Sequence, residues 1–176
     1  MLFPVLLVQC QRAGPKELVL LDFESDSELN RLQWHCHVLK SISSEHCTHG
    51  FKSLKLSLFP SDYPGLDIIP RESDWKKYSE LCLDVYNPQE TMVQLSVRID
   101  DRKGSPAFKE RYNDSFALKP GMNHVRIPLN SLARSGTGSP LNLTDISRLI
   151  FFVACPKKRV DLYLDYLRLA PEAFHE

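Results

Sequence analysis

The chain has 176 residues, which is enough for one domain with a substantial core and short for two. Its 22 basic and 22 acidic side chains cancel, so nothing at the level of the whole chain indicates a nucleic-acid or polyanionic partner. The five cysteines are odd in number and lack zinc-type spacing, which argues against a disulfide scaffold. Cys36 and Cys47 either pair with each other or stay free thiols.

The N-terminal residues differ from the rest of the chain. Residues 1–9 are apolar, but they lack the basic flank and cleavage site of a signal peptide and are too short to cross a bilayer. Three explanations stay open: an extra edge strand, a boundary segment, or the end of a transmembrane helix that precedes this sequence. We predict an apolar segment and linker over 1–16, a globular domain over 17–170 and a tail over 171–176.

The domain itself is predicted to be all-β. Short runs of alternating apolar and polar residues recur between turn-forming residues, and no helix-length stretch keeps a period of three to four. The predicted strands cover 18–23, 34–41, 53–58, 80–86, 92–100, 111–118, 124–129, 147–154 and 160–169. Residues 59–70 are predicted to form a long loop, and 131–134 a helical turn. This number of short strands predicts an antiparallel β-sandwich of jelly-roll type, with a closed barrel as the alternative.

A polar sheet face is the candidate ligand site. From 93 to 100 the odd-numbered residues are apolar and the even-numbered residues are polar, so one side faces the core and the other faces solvent. If the polar residues of strands 80–86 and 124–129 share that sheet, they form a patch suited to sugar hydroxyls, on which aromatic rings stack against a pyranose. The predicted ligand-binding residues are Tyr63, Asp84, Tyr86, Gln94, Arg98, Asp100, Tyr112 and Arg126. The alternative is a solvated face on which Arg98 pairs with Asp84 or Asp100.

The sequence contains no recognisable catalytic constellation. Asp100 and Asp101 are adjacent, so they point to opposite faces of a strand and make a poor acid/base pair. No nucleophile elbow, HExxH, P-loop or dinucleotide-binding fingerprint occurs. Trp75, just before a core strand, is better explained as a packing residue than as a ligand platform. We therefore expect a binding domain and not an enzyme.

The last predicted strand carries an acidic residue, Asp165, among leucines. A carboxylate there needs a cation or a network of hydrogen bonds. Five local patterns follow one another along the chain: LLDFES, THGFKSLKL, DWKKYSELCLDVYNP, KPGMNHVRIPL and LYLDYLRL. In this order they resemble the galactose-binding-domain-like jelly-roll superfamily. Within it they are similar to the non-catalytic carbohydrate-binding modules of bacterial glycoside hydrolases and surface proteins.

The resemblance implies a structural calcium ion where the first strand meets the last. The matching positions are Glu24, Asp165 and the backbone carbonyls of Thr48, His49 and Lys52, with Asp22 as a spare carboxylate. The chemistry is compatible, because calcium takes about six to eight hard oxygen ligands and needs no imidazole or thiolate. The alternative is that Glu24 and Asp165 accept hydrogen bonds from loop amides or pair with Lys52.

These patterns together predict a non-enzymatic β-sandwich that binds carbohydrate and holds a structural calcium ion. We expect a monomeric, extracytoplasmic domain, periplasmic or at the cell surface, attached to a membrane segment or a larger protein, with no nucleic-acid partner. The alternative is a protein-interaction or structural domain of a membrane-anchored protein, in which the polar face carries no sugar site.

Overall fold

The computed structural model describes residues 16–171. The predicted N-terminal segment and linker, apart from Lys16, and the predicted tail, apart from Pro171, lie outside these residues. Cys36 and Cys47, which the sequence left open as a pair, are free thiols. No helix between residues 16 and 171 is long and apolar enough to cross a membrane.

The described chain forms eleven strands and three short 3-10 helices. The strands are β1 (Leu18–Leu21), β2 (Leu32–His35), β3 (Val38–Ser43), β4 (Ser53–Leu58), β5 (Gly65–Ile68), β6 (Glu80–Asn87), β7 (Val93–Asp100), β8 (Tyr112–Leu118), β9 (Gly121–Pro128), β10 (Arg148–Phe152) and β11 (Val160–Ala170). The 3-10 helices cover Asp26–Arg31, Phe108–Glu110 and Leu129–Ser131.

The strands form two antiparallel sheets that pack on each other. The six-stranded sheet has the order β3-β4-β11-β6-β9, and β1 also pairs with β11; the five-stranded sheet has the order β2-β5-β10-β7-β8. Apolar side chains from both sheets form one continuous core, in which Trp75, Phe23 and Phe151 are the largest fully buried side chains. The burial of Trp75 in this core confirms its predicted packing role. Its indole N–H donates to the Glu72 carbonyl at 2.9 Å. The predicted all-β jelly-roll sandwich is confirmed as well.

Strand β11 lies in the middle of its sheet and contains a β-bulge. In its first half the even-numbered residues from Val160 to Leu164 face the core, whereas Leu167 and Leu169 do so in its second half. The pairing with β6 is irregular between these halves, where Tyr166 has a left-handed φ of 50°. A bulge inserts one residue and re-aims the side chains around it. Asp165 therefore points away from the core, to the outer face of the six-stranded sheet.

Some predicted element boundaries are wrong. The single strand predicted over 34–41 is two strands, because Cys36 has a φ of 57° and the chain passes there from β2 in one sheet to β3 in the other. The loop predicted over 59–70 contains β5, which is fully buried between β2 and β10. The helical turn predicted at 131–134 lies earlier in the chain, at Leu129–Ser131.

Candidate functional site

The outer face of the five-stranded sheet carries a groove of about 510 Å³, which we call the sheet groove. Its floor consists of outward-facing residues of β10, β7 and β8, and it is also lined by Tyr63 from a loop and by Phe108 from the 3-10 helix Phe108–Glu110. Strand register places the floor residues in two rows: Ile150, Arg98 and Asn113 in one, and Phe152, Ser96 and Ser115 in the other. A second cavity of about 520 Å³, lined by Gln33, Asp67 and Arg148, lies on the same face across β10.

Aromatic and small polar groups lie side by side in the sheet groove. Tyr63 is 50% exposed and packs edge-on against Phe152, with the ring centroids 5.6 Å apart. Gly65 faces Phe152 across β5 and β10, and a Cβ there would lie 2.6 Å from the Phe152 Cβ and 2.2 Å from the Phe151 carbonyl oxygen, so the close approach of β5 and β10 requires glycine. The hydroxyls of Ser96 and Ser115 are 3.0 Å apart on the floor. Rings beside hydroxyl and amide groups form the mixed surface that small polar ligands need.

Two buried ion pairs fix the charged part of this face. Arg98, only 8% exposed, donates from Nε to Asp100 Oδ1 at 2.8 Å and from Nη2 to Asp100 Oδ2 at 2.6 Å. Arg148 donates from Nε at 2.8 Å and from Nη2 to a single oxygen of Asp67, Oδ2, and Asp67 Oδ1 is buried without a hydrogen-bond partner among the described residues. Such forked pairs hold a guanidinium in one orientation. Asp67 and Asp100 therefore position the arginines.

The predicted ligand-binding residues do not form one patch. Tyr63 and Arg98 line the sheet groove, Asp100 lies behind Arg98, and Gln94 is exposed further along β7. The prediction that β6 and β9 share this sheet is wrong, because both strands belong to the six-stranded sheet. Alternation along a strand reveals which side is polar but not which sheet the strand joins.

The other predicted ligand-binding residues lie elsewhere and have partners of their own. On the outer face of the six-stranded sheet, Asp84 lies 2.8 Å from His124 Nδ1, Tyr86 stacks on His46 at 3.5 Å, and Arg126 donates to Glu80 at 3.0 Å. Tyr112 is 7% exposed and belongs to the core. Its hydroxyl donates to Asp114 at 3.1 Å, and burial raises the pKa of this phenol.

Several groove residues were missed by the sequence analysis. They are Phe108, Arg111, Asn113, Ser115, Ile150 and Phe152. Ile150 and Phe152 sit in a continuous apolar run, in which periodicity cannot separate an outward residue from a core residue. Asn113, Asp114 and Ser115 are three consecutive polar residues of β8, so alternation did not indicate their direction, and their position beside β7 was not readable either.

Asp165 and Glu24 are held by the loop over 44–52, which we call the clasp loop. Asp165 Oδ2 accepts hydrogen bonds from the amides of Thr48 at 2.6 Å and His49 at 2.9 Å. Glu24 Oε1 accepts from the amides of Phe51 and Lys52, both at 2.7 Å. Burial raises the pKa of the Asp165 carboxyl, and the amide donors of His49 and Thr48 oppose this shift. The clasp loop thus joins the end of β1 to the middle of β11.

This arrangement presents hydrogens, not oxygens, to the two carboxylates. Calcium requires oxygen ligands, whereas the amides at Thr48, His49 and Lys52 point their N–H groups at Asp165 and Glu24. Asp22 lies 3.5 Å from His49 Nδ1, and residues 16–171 hold no group of three or more acidic, histidine or cysteine side chains suited to a metal. The residues as arranged therefore do not fit a calcium ion. They match the hydrogen-bonded alternative, and calcium stays a prediction.

Comparisons with known proteins extend the fold assignment. No protein-family model and no curated protein matches the sequence. Among solved structures, the chain is similar to an exo-β-agarase (TM-score 0.72, 19% identity, 89% of this chain and 26% of that chain). It is also similar to the family 11 carbohydrate-binding module from Clostridium thermocellum in complex with a β-1,3-1,4-mixed-linked tetrasaccharide (TM-score 0.70, 18% identity, 93% and 100%).

A third similar structure is the family 22 carbohydrate-binding module of Clostridium thermocellum Xyn10B (TM-score 0.54, 12% identity, 88% of this chain and 94% of that chain). The chain thus spans about a quarter of the length of the agarase and the full length of the family 11 module. At these identities the likeness concerns the fold. The fold is that of jelly-roll carbohydrate-binding modules, which confirms the resemblance found in the sequence.

We predict that replacing Gly50 in the clasp loop destabilises the domain. Gly50 has a φ of 65°, and a Cβ there would lie 2.5 Å from Glu24 Cδ, so Gly50→Ala both strains the backbone and displaces the Glu24 carboxylate. The left-handed backbone costs about 1–2 kcal/mol for alanine, and the lost hydrogen bonds cost roughly 1–3 kcal/mol more. Urea unfolding measures the total loss in the free energy of unfolding.

Gly138→Ala is the matched control. Gly138 has a φ of 68°, and a Cβ there would meet no atom within 4 Å, so alanine incurs only the backbone cost. A loss at Gly50 no larger than the loss at Gly138 would contradict the role of the Glu24 contact.

Proposed function

We propose that the chain is a non-catalytic module that binds carbohydrate in the sheet groove. The observation that carries the proposal is the half-exposed ring of Tyr63, which lies against Phe152 beside the hydroxyls of Ser96 and Ser115. A pyranose offers an apolar ring face and a rim of hydroxyls, and this surface offers partners for both. The likeness of the fold to a module in complex with a tetrasaccharide supports the proposal.

The acidic residues of the groove face support binding without catalysis. Asp100 and Asp67 are buried, and each accepts two hydrogen bonds from one arginine. A general acid or base must reach the substrate and exchange a proton with it. Asp100 and Asp67, each paired with an arginine, are poor candidates for this task, and Asp114, which also lines the groove, accepts hydrogen bonds from the Tyr112 hydroxyl and the Ser115 amide.

The proposal includes a monomeric domain that acts outside the cytoplasm, where polysaccharides are encountered. Its attachment to a larger protein is supported by the agarase, in which the similar region covers 26% of the chain, and attachment to a membrane segment stays a prediction. The bacterial source implied by the resemblance stays a prediction.

We expect Tyr63→Ala and Asn113→Ala to weaken sugar binding, with Tyr63→Ala lowering affinity about tenfold, equivalent to roughly 1.4 kcal/mol. Loss of the ring removes the stacking surface, and loss of the Asn113 side chain removes its amide oxygen, an acceptor at the groove floor, since the amide nitrogen already donates to Ser135 Oγ at 3.1 Å. A glycan array that contains β-1,3-1,4-linked glucan and agaro-oligosaccharides identifies a ligand, and isothermal titration then compares the variants.

Arg126→Ala is the control, because Arg126 is exposed on the outer face of the other sheet. The affinity of the Arg126→Ala variant for the glycan should equal that of the unmodified protein. Loss of binding in Arg126→Ala but not in Tyr63→Ala would move the site to the six-stranded sheet. An array without any bound glycan would favour the alternative of a protein-interaction or structural domain.

The predicted structural calcium is tested separately by melting. We infer that Glu24 and Asp165 are satisfied by the clasp loop amides, so the melting temperature should be the same in chelator and in millimolar calcium chloride. A melting temperature several degrees higher with calcium, abolished by Asp165→Asn, would instead support the ion implied by the resemblance. This outcome would leave the carbohydrate proposal unaffected.

A further inference from the structure

The groove face of the five-stranded sheet carries three guanidinium groups and two buried carboxylates. Arg98 is engaged by Asp100, and Arg148 by Asp67. Arg111, which immediately precedes β8 and lines the sheet groove, is the third cation. Pairing the charges within this set leaves Arg111 without a carboxylate.

The contacts of Arg111 are weak. Among residues 16–171, no carboxylate oxygen lies within 4.0 Å of its guanidinium nitrogens, and its Nε is buried without a hydrogen-bond partner. Nη1 donates to the Pro106 carbonyl at 3.4 Å, and the guanidinium lies 5.9 Å from the Phe108 ring centroid. An arginine that is half-buried in a groove with such contacts has unused donor capacity.

Charged groups of both signs surround Arg111. Burial lowers its pKa, and the neighbouring Arg98 lowers it further, while Asp100 opposes the shift only in part. Asp114 also lines the groove, but its two oxygens accept hydrogen bonds from the Tyr112 hydroxyl and the Ser115 amide. With Asp114 counted, the three guanidinium groups of this face have three carboxylates, so within the described chain Arg111 lacks a carboxylate in contact with it and not a compensating charge nearby.

We propose that the sheet groove selects sugars that carry an anionic group, with Arg111 binding that group. This inference rests on the proposed carbohydrate-binding function and names the class of ligand. A planar guanidinium binds a carboxylate or a sulfate through two parallel N–H donors, and an acidic substituent in the groove would supply the anionic partner that Arg111 lacks in the described part of the chain. Tyr63, near Arg111 in the same groove, would hold the sugar ring beside it.

The test uses two matched pairs of oligosaccharides at physiological salt. One pair is an oligogalacturonate and its methyl ester, and the other is a sulfated galactan oligosaccharide and its desulfated form. We expect the acidic member of at least one pair to bind about tenfold more tightly than its neutral partner. Two charge-assisted hydrogen bonds from the guanidinium to the anionic group would account for this gain in affinity. The pair that shows the preference identifies carboxylate or sulfate as the recognised group.

Variants separate a specific contact from general attraction. Arg111→Gln should abolish the preference, measured as the ratio of the affinities for the acidic and the neutral partner, and Arg111→Lys should retain part of the preference because it keeps the charge without the fork. Arg126→Gln removes the same charge on the opposite face and should keep the full preference. Circular dichroism and melting confirm that each variant is folded.

Three results would overturn the inference. Equal affinity for acidic and neutral partners would refute anion selection and leave the carbohydrate function standing. An equal loss of preference in Arg111→Gln and Arg126→Gln would show nonspecific attraction. If no sugar of either kind binds, the proposed function fails and this inference fails with it.

Discussion

The carboxylate of Asp165 is 1% exposed in the central strand of the six-stranded sheet, and its need for hydrogen-bond donors constrains much of the domain. A buried carboxylate without partners is costly. The bulge in β11 turns Asp165 to the outer face, and the clasp loop covers it and supplies two amides. The same loop then supplies two amides to Glu24, which fixes the end of β1 against β11. The need of buried carboxylates for hydrogen-bond donors thus brings the first strand, the last strand and the clasp loop into contact.

The two sheets share one core but use their outer faces differently. On the six-stranded sheet the clasp loop lies over the strands, and His46 and His49 stack on Tyr86 and Tyr166 at 3.5 and 4.2 Å. On the five-stranded sheet the middle of the face is left as a groove, and forked ion pairs hold its arginines in place. Rigid positioning of donors limits the entropy lost on binding a ligand. The closed face therefore serves stability, and the groove face is suited to recognition.

The sequence predicted the sandwich because its strands alternate with period two, and it singled out Asp165 as a charge that needs a partner. It did not reveal how strands are shared between sheets: Arg98 and Arg126 have the same outward signature and lie on opposite layers. Ile150 and Phe152 were missed because an apolar run hides the direction of its side chains. The bulge was readable in principle, since Leu164 and Leu167 are three residues apart and an unbroken strand cannot turn both side chains to the same face.

The pairing of β1 with β11 has a consequence for the way this domain can be joined to other chains. Leu18 and Leu169 are directly opposite each other, so the chain enters and leaves the sandwich at one point of the six-stranded sheet. The sheet groove lies on the far side of the opposite layer. A short connection between the two ends would close the backbone into a circle without crossing the groove. The same geometry suits insertion into a host protein, since both junctions leave from one side while the recognition face stays turned outward.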